Sequence, residues 1–487
     1  MIPRGQQFTL ARVTLTFLTP VGVGKGDAEG ALDCPFVTDA GGKPAIPGTS
    51  IAGVLRSALP PRQADAWFGF QRGATGEASR VEVSWAHVHG ADDRPAAFSA
   101  SAGNDPVMRA MVRGVTRDHV HLGPRGVVAG REKFDETLVP AGARFTFELK
   151  VHEPLAAESS EKSADALLDH LLALLRGGGV VLGGRTRRGH GRFVVTRVLR
   201  GRFNLASPAD RERISRLPVD LALPLPPGLL ADDNEKVMVS PEPLLTVRAA
   251  LKPADFWYFG GGTATRPEHR KGTGAEQKQV QGIPYSETRV RWTGAGSLQQ
   301  GSMTPEGEEE YVFVASAVKG ALRHRTAFHF RALQAAIPGA ERGRWVAGTR
   351  HAAEPGIPAE VEELFGAIKK GDEGRPGRVF VEEFTVTKSS HGRLDHVSID
   401  RFTQGPVDGA LFDETPLRGG ELMTLTIHID RRGGVIEPTA RAAFRAALHD
   451  LLAERLALGA AQNRGHGFFA GILQDDGALD RWVEEGK

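Results

Sequence analysis

The chain carries one ordered series of short motifs twice. TSIAGVLR at residues 49–56 returns as SAVKGALR at residues 316–323. Three further segments return in the same order: DHV at 118–120 and 395–397, FDET at 134–137 and 412–415, and GHG at 189–191 and 465–467. Four matches in one order indicate an internal duplication, and the copies are spaced like domains rather than solenoid repeats. The chain is therefore predicted to fold as two related halves.

The composition is that of a globular protein. Of 487 residues, 40% are hydrophobic and 25% charged, and 61 basic residues nearly balance 59 acidic ones. This balance does not by itself indicate nucleic-acid binding, so a polyanion site must be a local patch. The lone Cys34 excludes a disulfide framework and a cysteine zinc site. Without a membrane-length apolar run or a signal peptide, we expect a cytoplasmic protein with no membrane partner.

A proline-rich stretch separates the two copies. It includes LPLPPGLL at residues 223–230, where proline disfavours both helix and central strand. We therefore predict a first domain over 1–215, a linker over 216–235 and a second domain over 236–487.

The predicted order of elements in each half is strand, helix, strand, strand, helix, strand. In the first half, apolar alternation predicts strands near residues 13–17 and 145–151, and leucines at 167–175 form a helical stripe. Thr49 or Ser50 is expected to cap the first helix. The order βαββαβ predicts an α+β fold of two ferredoxin-like, RRM-like domains. Long segments between the second and third strands predict functional arms in both halves.

A glycine-rich loop precedes the last strand of each half. GGRTRRGHGR at 183–192 places four arginines among glycines that permit positive φ and expose backbone N–H groups. This suits phosphate, although a tight connection with solvated charges is the better explanation of a single such loop. Its return at 459–467 with one arginine makes phosphate binding an equally good explanation and indicates unequal halves. A nucleotide P-loop, a dinucleotide fingerprint and a His-Glu-x-x-His zinc motif are absent from the sequence.

Single residues supply further candidates. Arg56 and Arg323 occupy matching helix positions and, with Lys319, could reach a phosphate near the helix start, or could be ordinary surface cations. Asp33 lies in the loop before the first helix. A carboxylate there could hold a metal, assist proton transfer or simply form a turn.

Several motifs together resemble a known family. IPGTSIAGVLR at 46–56, with the Gly-His-Gly loop, resembles the RAMP superfamily of CRISPR-associated proteins. GALDCPF at 30–36 and HVSIDRFTQG at 396–405 are similar to backbone subunits of antiviral type III CRISPR effector complexes. In that family, such subunits stack along a CRISPR RNA, and a thumb-like hairpin disrupts the guide–target duplex. The resemblance implies thumbs at 113–136 and 393–414.

The resemblance also implies an activity and its residues. An aspartate before the first helix is required in the family for metal-dependent cleavage of target RNA, and Asp33 matches it. Asp33 would then be the catalytic residue and a ligand of Mg²⁺ or Mn²⁺ in a metal-dependent endoribonuclease. The implied partners are CRISPR RNA, single-stranded target RNA and other effector subunits. RNA contacts are expected from Lys25, Ser50, Arg56, Arg113, Arg117, Arg185, Arg187, Arg188, His190, Lys319, Arg323, Arg401, Arg464 and His466.

The second half departs from the family pattern. Its segment GIPYSE at 282–287 has no aspartate at the matching place. We expect it to bind RNA without cutting, unless Glu287 or Asp255 takes the role. Two alternatives remain: a non-catalytic scaffold or cap subunit, and a metal-independent guide-processing endoribonuclease using His119 or His190 as acid or base.

Overall fold

The structure is a computed structural model, and it describes most of the chain. The described residues are 6–24, 35–96, 103–122, 128–154, 162–177, 179–233, 244–261, 264–268, 276–280, 282–294, 298–304, 308–335, 356–367, 374–387, 389–432, 434–474 and 477–485. Lys25 and Asp33 lie outside these ranges, so their predicted roles stay predictions.

The elements of the first half are distributed over residues 7–232. Its strands are β1 (Gln7–Phe17), β2 (Ala45–Ile46), β3 (Phe70–Arg72), β4 (Thr75–Glu77), β5 (Val81–Val83), β6 (Ala86–Val88), β7 (Val115–Leu122), β8 (Val128–Leu138), β9 (Arg144–His152), β10 (Phe193–Asn204) and β11 (Ala231–Asp232). Its helices are α1 (Gly48–Ser57), α2 (Pro61–Phe68), α3 (Pro106–Arg113), α4 (Ala164–Arg176) and α5 (Pro208–Ser215).

The second half begins its regular structure at residue 244. Its strands are β12 (Leu244–Pro253), β13 (Phe256–Trp257), β14 (Ala264–Glu268), β15 (Glu276–Val280), β16 (Ser286–Glu287), β17 (Val290–Thr293), β18 (Gln300–Met303), β19 (Glu310–Phe313), β20 (Gly366–Ala367), β21 (Arg375–Pro376), β22 (Val379–Val381), β23 (Phe384–Val386), β24 (Ser390–His391), β25 (Leu394–Ile399), β26 (Pro406–Glu414), β27 (Leu417–Arg418), β28 (Met423–Asp430) and β29 (Phe469–Leu473). Its helices are α6 (Ala315–Ala335), α7 (Ala359–Phe365), α8 (Pro438–Leu452) and α9 (Ala478–Glu484).

The sheet of the first half is antiparallel, in the order β11-β10-β1-β9-β6-β2, and β5 also pairs with β9. Because side chains alternate along β1, Val13, Leu15 and Phe17 share the face that packs with the buried leucines of α4. Phe8 and Leu10 instead join Phe203 in a smaller cluster beside α5. The end of the predicted linker adds β11 to this sheet.

The second half repeats this plan with the order β22-β28-β12-β29. Helices α6 and α8 pack against each other and contact β22 and β29. The corresponding elements of the first half are β5, β9, β1 and β10, with α1 and α4. This arrangement confirms the predicted α+β class. Within the described residues, no helix combines the length and apolar character that a bilayer span requires.

The start of α1 differs from the capping prediction. The helix begins after Pro47, so Thr49 and Ser50 lie within its first turn instead of capping it. Gly48 explains the difference, because a Cβ there would lie 2.1 Å from the carbonyl oxygen of Val83. The helix therefore has to enter at a residue without a side chain.

An arm of the second half, β17 and β18, lies against the first half. The backbone N–H of Val290 donates to the carbonyl of Ala141 at 2.9 Å, and Trp292 Nε1 donates to the carbonyl of Gly142 at 2.7 Å. The guanidinium of Arg144 lies 4.2 Å from the Trp292 ring centroid. Gly142, at φ 83°, permits this approach, since a Cβ would lie 2.0 Å from the Val290 carbonyl oxygen.

Candidate functional site

The glycine-rich loops of the two halves share one backbone conformation. Each contains a short 3-10 helix, Thr186–Arg188 in the first half and Gln462–Arg464 in the second. Gly191 and Gly467 follow at φ 77° and φ 82°. A Cβ on Gly191 would lie 1.8 Å from the carbonyl oxygen of Leu182, so the turn requires glycine. The recurring Gly-His-Gly motif therefore encodes a specific backbone path.

In the first half, the repeated motifs converge on one buried carboxylate. Glu136 is 2% exposed and accepts hydrogen bonds from His119 and Arg185. His190 Nδ1 lies 3.8 Å from Glu136 Oε1. The Phe134 ring stacks on His119 at 5.0 Å, and the Arg185 guanidinium lies 4.9 Å from the Phe134 ring centroid. This cluster ties the base of the β7–β8 hairpin to the glycine-rich loop.

The second half forms the same cluster around Glu414, which is fully buried. His396 Nε2 lies 2.8 Å from Glu414 Oε1, His466 Nε2 lies 3.1 Å from it, and Arg464 donates to Oε2 at 2.6 Å. Phe412 stacks on His396 at 4.9 Å. The β25–β26 hairpin is thus fixed to its own loop, so the duplicated motifs encode one structural unit.

Two side chains of the first cluster, Glu136 and His190, have pKa values far below their ordinary ones. Burial acts to raise the pKa of Glu136, but the hydrogen bond from His119 and the charge of Arg185 lower it to about 2. Burial, reinforced by the nearby Arg117 guanidinium, lowers the pKa of His190 to about 3. At neutral pH the cluster therefore holds an ionised carboxylate and an uncharged His190.

Acidification is expected to destabilise this unit. Between pH 6.5 and about 3 the unfolded chain binds a proton at His190 that the folded chain does not. His190 therefore contributes a fall in the free energy of unfolding of at most about 1.4 kcal/mol per pH unit over that window, and Glu136 adds a loss between pH 4.5 and about 2. Urea denaturation at a series of pH values from 7 to 4 measures the slope of the free energy of unfolding against pH. His190→Gln should reduce it and His391→Gln, at an exposed ring, should not; equal slopes in both variants would contradict the assignment.

Arg117 joins the two halves. Its side chain is 5% exposed and donates to Glu287 at 2.6 and 2.9 Å and to Glu383 through two bonds at 2.8 Å. Its Nη1 also lies 3.1 Å from His190 Nε2. Burial acts to lower the pKa of Arg117, but the two carboxylates outweigh it and raise that pKa. The structure thus buries Arg117 and His190 in the junction between the halves, and their expected RNA contacts stay predictions.

A group of cations without acidic partners lies beside this junction. Lys319 donates to the carbonyls of Arg187 and Val379 at 3.3 and 2.8 Å. Burial and the charges of Arg187, Arg188 and Arg323 lower its pKa to about 7. Within the described part of the chain, none of these four cations forms an ion pair. We call Lys319, Arg187, Arg188 and Arg323 the junction cations.

Two features show that carboxylates do not neutralise the junction cations, although Arg187 donates to the carbonyl of Gly377 at 2.6 Å. Nε of Arg323 is buried and has no hydrogen-bond partner among the described residues. Arg188 lies 6.0 Å from the Phe134 ring centroid, while Arg185 rather than Arg188 neutralises Glu136. In the second half, Arg464 stands at the position of Arg188 and is paired with Glu414. Cations are therefore concentrated at the junction, where a bound anion would stabilise them.

The other predicted RNA contacts are dispersed. Arg56 donates to Asp65 at 2.5 Å and to the carbonyl of Gly69, which holds α2 against α1. Arg113 is exposed in the last turn of α3, and Arg401 is exposed at the tip of the β25–β26 hairpin. Ser50 is half-buried in α1. His466, 3% exposed, belongs to the second cluster and not to the surface.

The described residues do not bring a metal site together. Among them, no group of three or more His, Cys, Asp and Glu side chains could hold a metal ion. Asp33 lies outside them, so its fit to Mg²⁺ or Mn²⁺ stays a prediction. Glu287, considered as a substitute in the second half, is instead bound to Arg117.

Sequence reasoning missed two kinds of residue. Glu136 and Glu414 lay inside the recurring FDET motif, so the duplication itself was the signal that could have singled them out. Glu383 had no such signal, because its partner Arg117 is 266 residues away in the chain.

Comparison with known proteins identifies the family whose sequence model matches this chain. A sequence model of the RAMP superfamily matches residues 14–194 and 257–470, one region on each side of the predicted linker. No curated protein matches the chain. Two cryo-EM structures of type III-B Cmr-beta, in the apo state and bound to cognate target RNA, contain chains that align at TM-scores of 0.29 and 0.30. Their identities are 16% and 17%, and each alignment covers 38% of this chain and 96% of the other.

Proposed function

Because the chain belongs to the RAMP superfamily, we propose that it is a backbone subunit of a type III CRISPR effector. In this role it binds CRISPR RNA along both halves and cleaves complementary target RNA from a metal-dependent site in the first half. The observation that carries the RNA-binding part is the group of junction cations. Other effector subunits complete the ribonucleoprotein.

The fold supports assigning both halves to ferredoxin-like domains. In each, the last strand lies beside the first, the third lies on its other side, and the second is at the edge. The hairpins β7–β8 and β25–β26 join the second and third strands of this plan. They are our candidates for thumbs that interrupt the guide–target duplex.

The junction cations suit a phosphate backbone. Single-stranded RNA presents regularly spaced phosphates, and Arg and Lys donate charge-assisted hydrogen bonds to them without reading sequence. A phosphate near Lys319 would offset the charges that lower its pKa, so binding would also return Lys319 to its charged form. Guide RNA would thus cross from one half to the other at this place.

Cleavage needs few protein groups. RNA supplies its own nucleophile, a 2′-hydroxyl, when a nucleotide is held splayed so that this oxygen lies in line with its phosphorus. The chain would hold that geometry through the hairpin and the loop, and Asp33 would assist deprotonation or bind the cation. A divalent cation bound at Asp33 would stabilise charge on the phosphate.

RNA affinity tests the proposal. Arg188→Ala should weaken binding of single-stranded RNA by about tenfold, or about 1.4 kcal/mol. It should also lower the slope of log affinity against log salt by about 0.7, since one phosphate contact is lost. Fluorescence anisotropy over a salt series measures both quantities.

A charge-matched control separates local from general effects. Arg211→Ala removes an exposed arginine from α5 and should leave the affinity and the slope unchanged. If Arg188→Ala behaves like Arg211→Ala, the junction cations do not bind the RNA backbone and this part of the proposal fails.

The two alternative functions, a non-catalytic scaffold and a guide-processing endoribonuclease, differ in what the structure says about them. A non-catalytic scaffold would keep the RNA site and lack cleavage, so the Asp33 variant discussed below distinguishes it. A metal-independent guide-processing enzyme would need a solvent-accessible His119 or His190. His190 is 1% exposed with a pKa of about 3, and His119 is hydrogen-bonded to Glu136, so the geometry disfavours this alternative.

A further inference from the structure

A pocket lies between the two halves, beside the junction cations. Its floor is formed by Leu244, Phe380 and His428, which are on β12, β22 and β28 of the second sheet. The opposite wall belongs to the first half and includes Val181 and Thr186, at the glycine-rich loop. The pocket measures about 460 Å³, counting the solvent at its mouth. Both halves are therefore needed to build it.

The floor of the pocket is aromatic and apolar. Side chains alternate along β22, and Val379 and Val381 are in the hydrophobic core, so Phe380 lies on the face away from the helices. The Arg187 guanidinium lies 5.0 Å from the centroid of the Phe380 ring, and its Nε donates to the Gly377 carbonyl at 2.6 Å. An aromatic ring beside an arginine is a surface on which a planar ligand stacks.

The rim of the pocket is polar and held in place. His428 Nε2 lies 2.5 Å from Glu382 Oε1, and Arg192 Nη1 lies 2.5 Å from Glu382 Oε2. Thr246 Oγ1 lies 2.9 Å from His428 Nδ1 and fixes the other side of the ring. The Thr186 hydroxyl adds a further polar group. Donors and acceptors thus surround an apolar floor, and the edge of a nucleobase carries both kinds of group.

The charged side chains at the pocket have a positive balance. Arg192 and Arg432 line it, and Arg187 lies beside its aromatic floor. Two carboxylates oppose these three cations: Glu382 pairs with Arg192, and Asp430 pairs with Arg432 at 2.8 Å. One positive charge is left over, and one nucleotide of an RNA chain carries one negative charge on its phosphate. The balance therefore suits a single nucleotide.

The matching place in the first half is filled by charged side chains. Strand pairing places Glu82 opposite Lys150 there, as it places Phe380 opposite His428 in the second half. Lys150 Nζ lies 3.6 Å from Glu82 Oε2 and 4.6 Å from the centroid of the Phe8 ring. The aromatic floor is therefore particular to the second copy and is not required by the duplicated framework.

We propose that this pocket binds one nucleobase, with the phosphate of the same nucleotide at Arg187. The base stacks on the floor at Phe380, and its edge meets the rim at Glu382 and Arg192. The source of the base rests on the proposed function: it belongs to a nucleotide of the RNA that crosses the junction. A free nucleotide has the same chemistry, so the experiment includes both. The junction then contacts a base as well as the RNA backbone.

Isothermal titration calorimetry of the full chain, freed of RNA by nuclease, tests this with AMP, GMP and ribose 5-phosphate. The three probes carry the same phosphate group, so a difference in affinity reports the base. AMP and GMP should bind at least about tenfold more tightly than ribose 5-phosphate, because stacking on an aromatic side chain contributes that much. Single-stranded RNA should displace both nucleotides, which assigns the bound base to RNA.

Two substitutions that fill the pocket test its location. Val181→Phe and Leu244→Phe each add an aromatic ring, one from the wall of each half. Either should abolish the preference for AMP and GMP over ribose 5-phosphate. Val219→Phe, at a residue 98% exposed in the proline-rich segment, is the matched control and should keep the preference. Thermal unfolding verifies folding, and one folded variant suffices.

The outcomes separate this proposal from the proposed function. Equal affinities for AMP, GMP and ribose 5-phosphate in the wild type would overturn the pocket assignment, as would a preference that the filled variants retain. RNA that binds without displacing AMP would overturn the assignment of the base to RNA. If the nucleotides bind with the expected preference and RNA does not bind, the pocket assignment stands and the proposed function fails.

Discussion

Arg117→Ala is expected to lower the free energy of unfolding by about 3–5 kcal/mol. The arginine satisfies Glu287 and Glu383 with four hydrogen bonds in a site where all three side chains are at most 7% exposed. Removing it leaves two carboxylates close together without a counter-charge. Burial already raises the pKa of Glu383 with Arg117 present. In the variant, one carboxylate must take up a proton or draw in water.

Urea denaturation at pH 7 measures the change. Arg202→Ala is the control, because its side chain is 59% exposed and its ion pairs with Glu153 and Asp165 are on the surface. Such pairs contribute about 0–1 kcal/mol. Adding Glu383→Gln to Arg117→Ala should recover part of the loss, since one uncompensated charge disappears. A loss in Arg117→Ala no larger than that in Arg202→Ala would show that this network does not stabilise the junction.

Asp33→Ala is expected to abolish one target-RNA cleavage product in the assembled complex while guide and target binding stay intact. The prediction rests on the resemblance to type III backbone subunits and on the segment at 30–36 that carries it. If the carboxylate assists deprotonation or binds the cation, its loss raises the barrier to cleavage without removing phosphate contacts. Cleavage of end-labelled target RNA, resolved on a gel, gives the pattern of products.

The neighbouring Asp27 supplies a matched control. Asp27→Ala removes the same charge from the same segment of the sequence and should leave every product in place. Chelation of divalent cations should stop cleavage in the wild type and in Asp27→Ala alike. If the complex with Asp33→Ala still cuts at every position, the catalytic assignment is wrong and the scaffold alternative gains support.

Local patterns predicted the repeated framework well. Apolar alternation located β1 and β9, and the leucine stripe located α4, because side-chain periodicity reports which face of an element is buried. The prediction failed where long-range contact decides the local structure. Thr49 and Ser50 look like helix caps, yet the close approach of Val83 to Gly48 selects the start of α1.

The same distinction between local pattern and long-range contact applies to the site residues. The motifs around His119, Glu136 and His190 were visible as repeats, but their meeting in one cluster depends on the hairpin folding back on the loop. Arg117 and Lys319 looked like RNA-binding cations by type. Tertiary structure separated them: Arg117 is neutralised by two carboxylates, whereas Lys319 lies among unpaired cations.

The sequence by itself determined that this protein has two related α+β halves, each with the same hairpin motifs and the same glycine turn. Repeated motifs and apolar periodicity are local properties, so one chain read in order reveals them. Only the tertiary structure decided which charges are neutralised by carboxylates and which are not. It also decided that the glycine-rich loop of the first half packs against Ala315 and Glu383 of the second half, because burial and ion pairing depend on residues that are hundreds of positions apart.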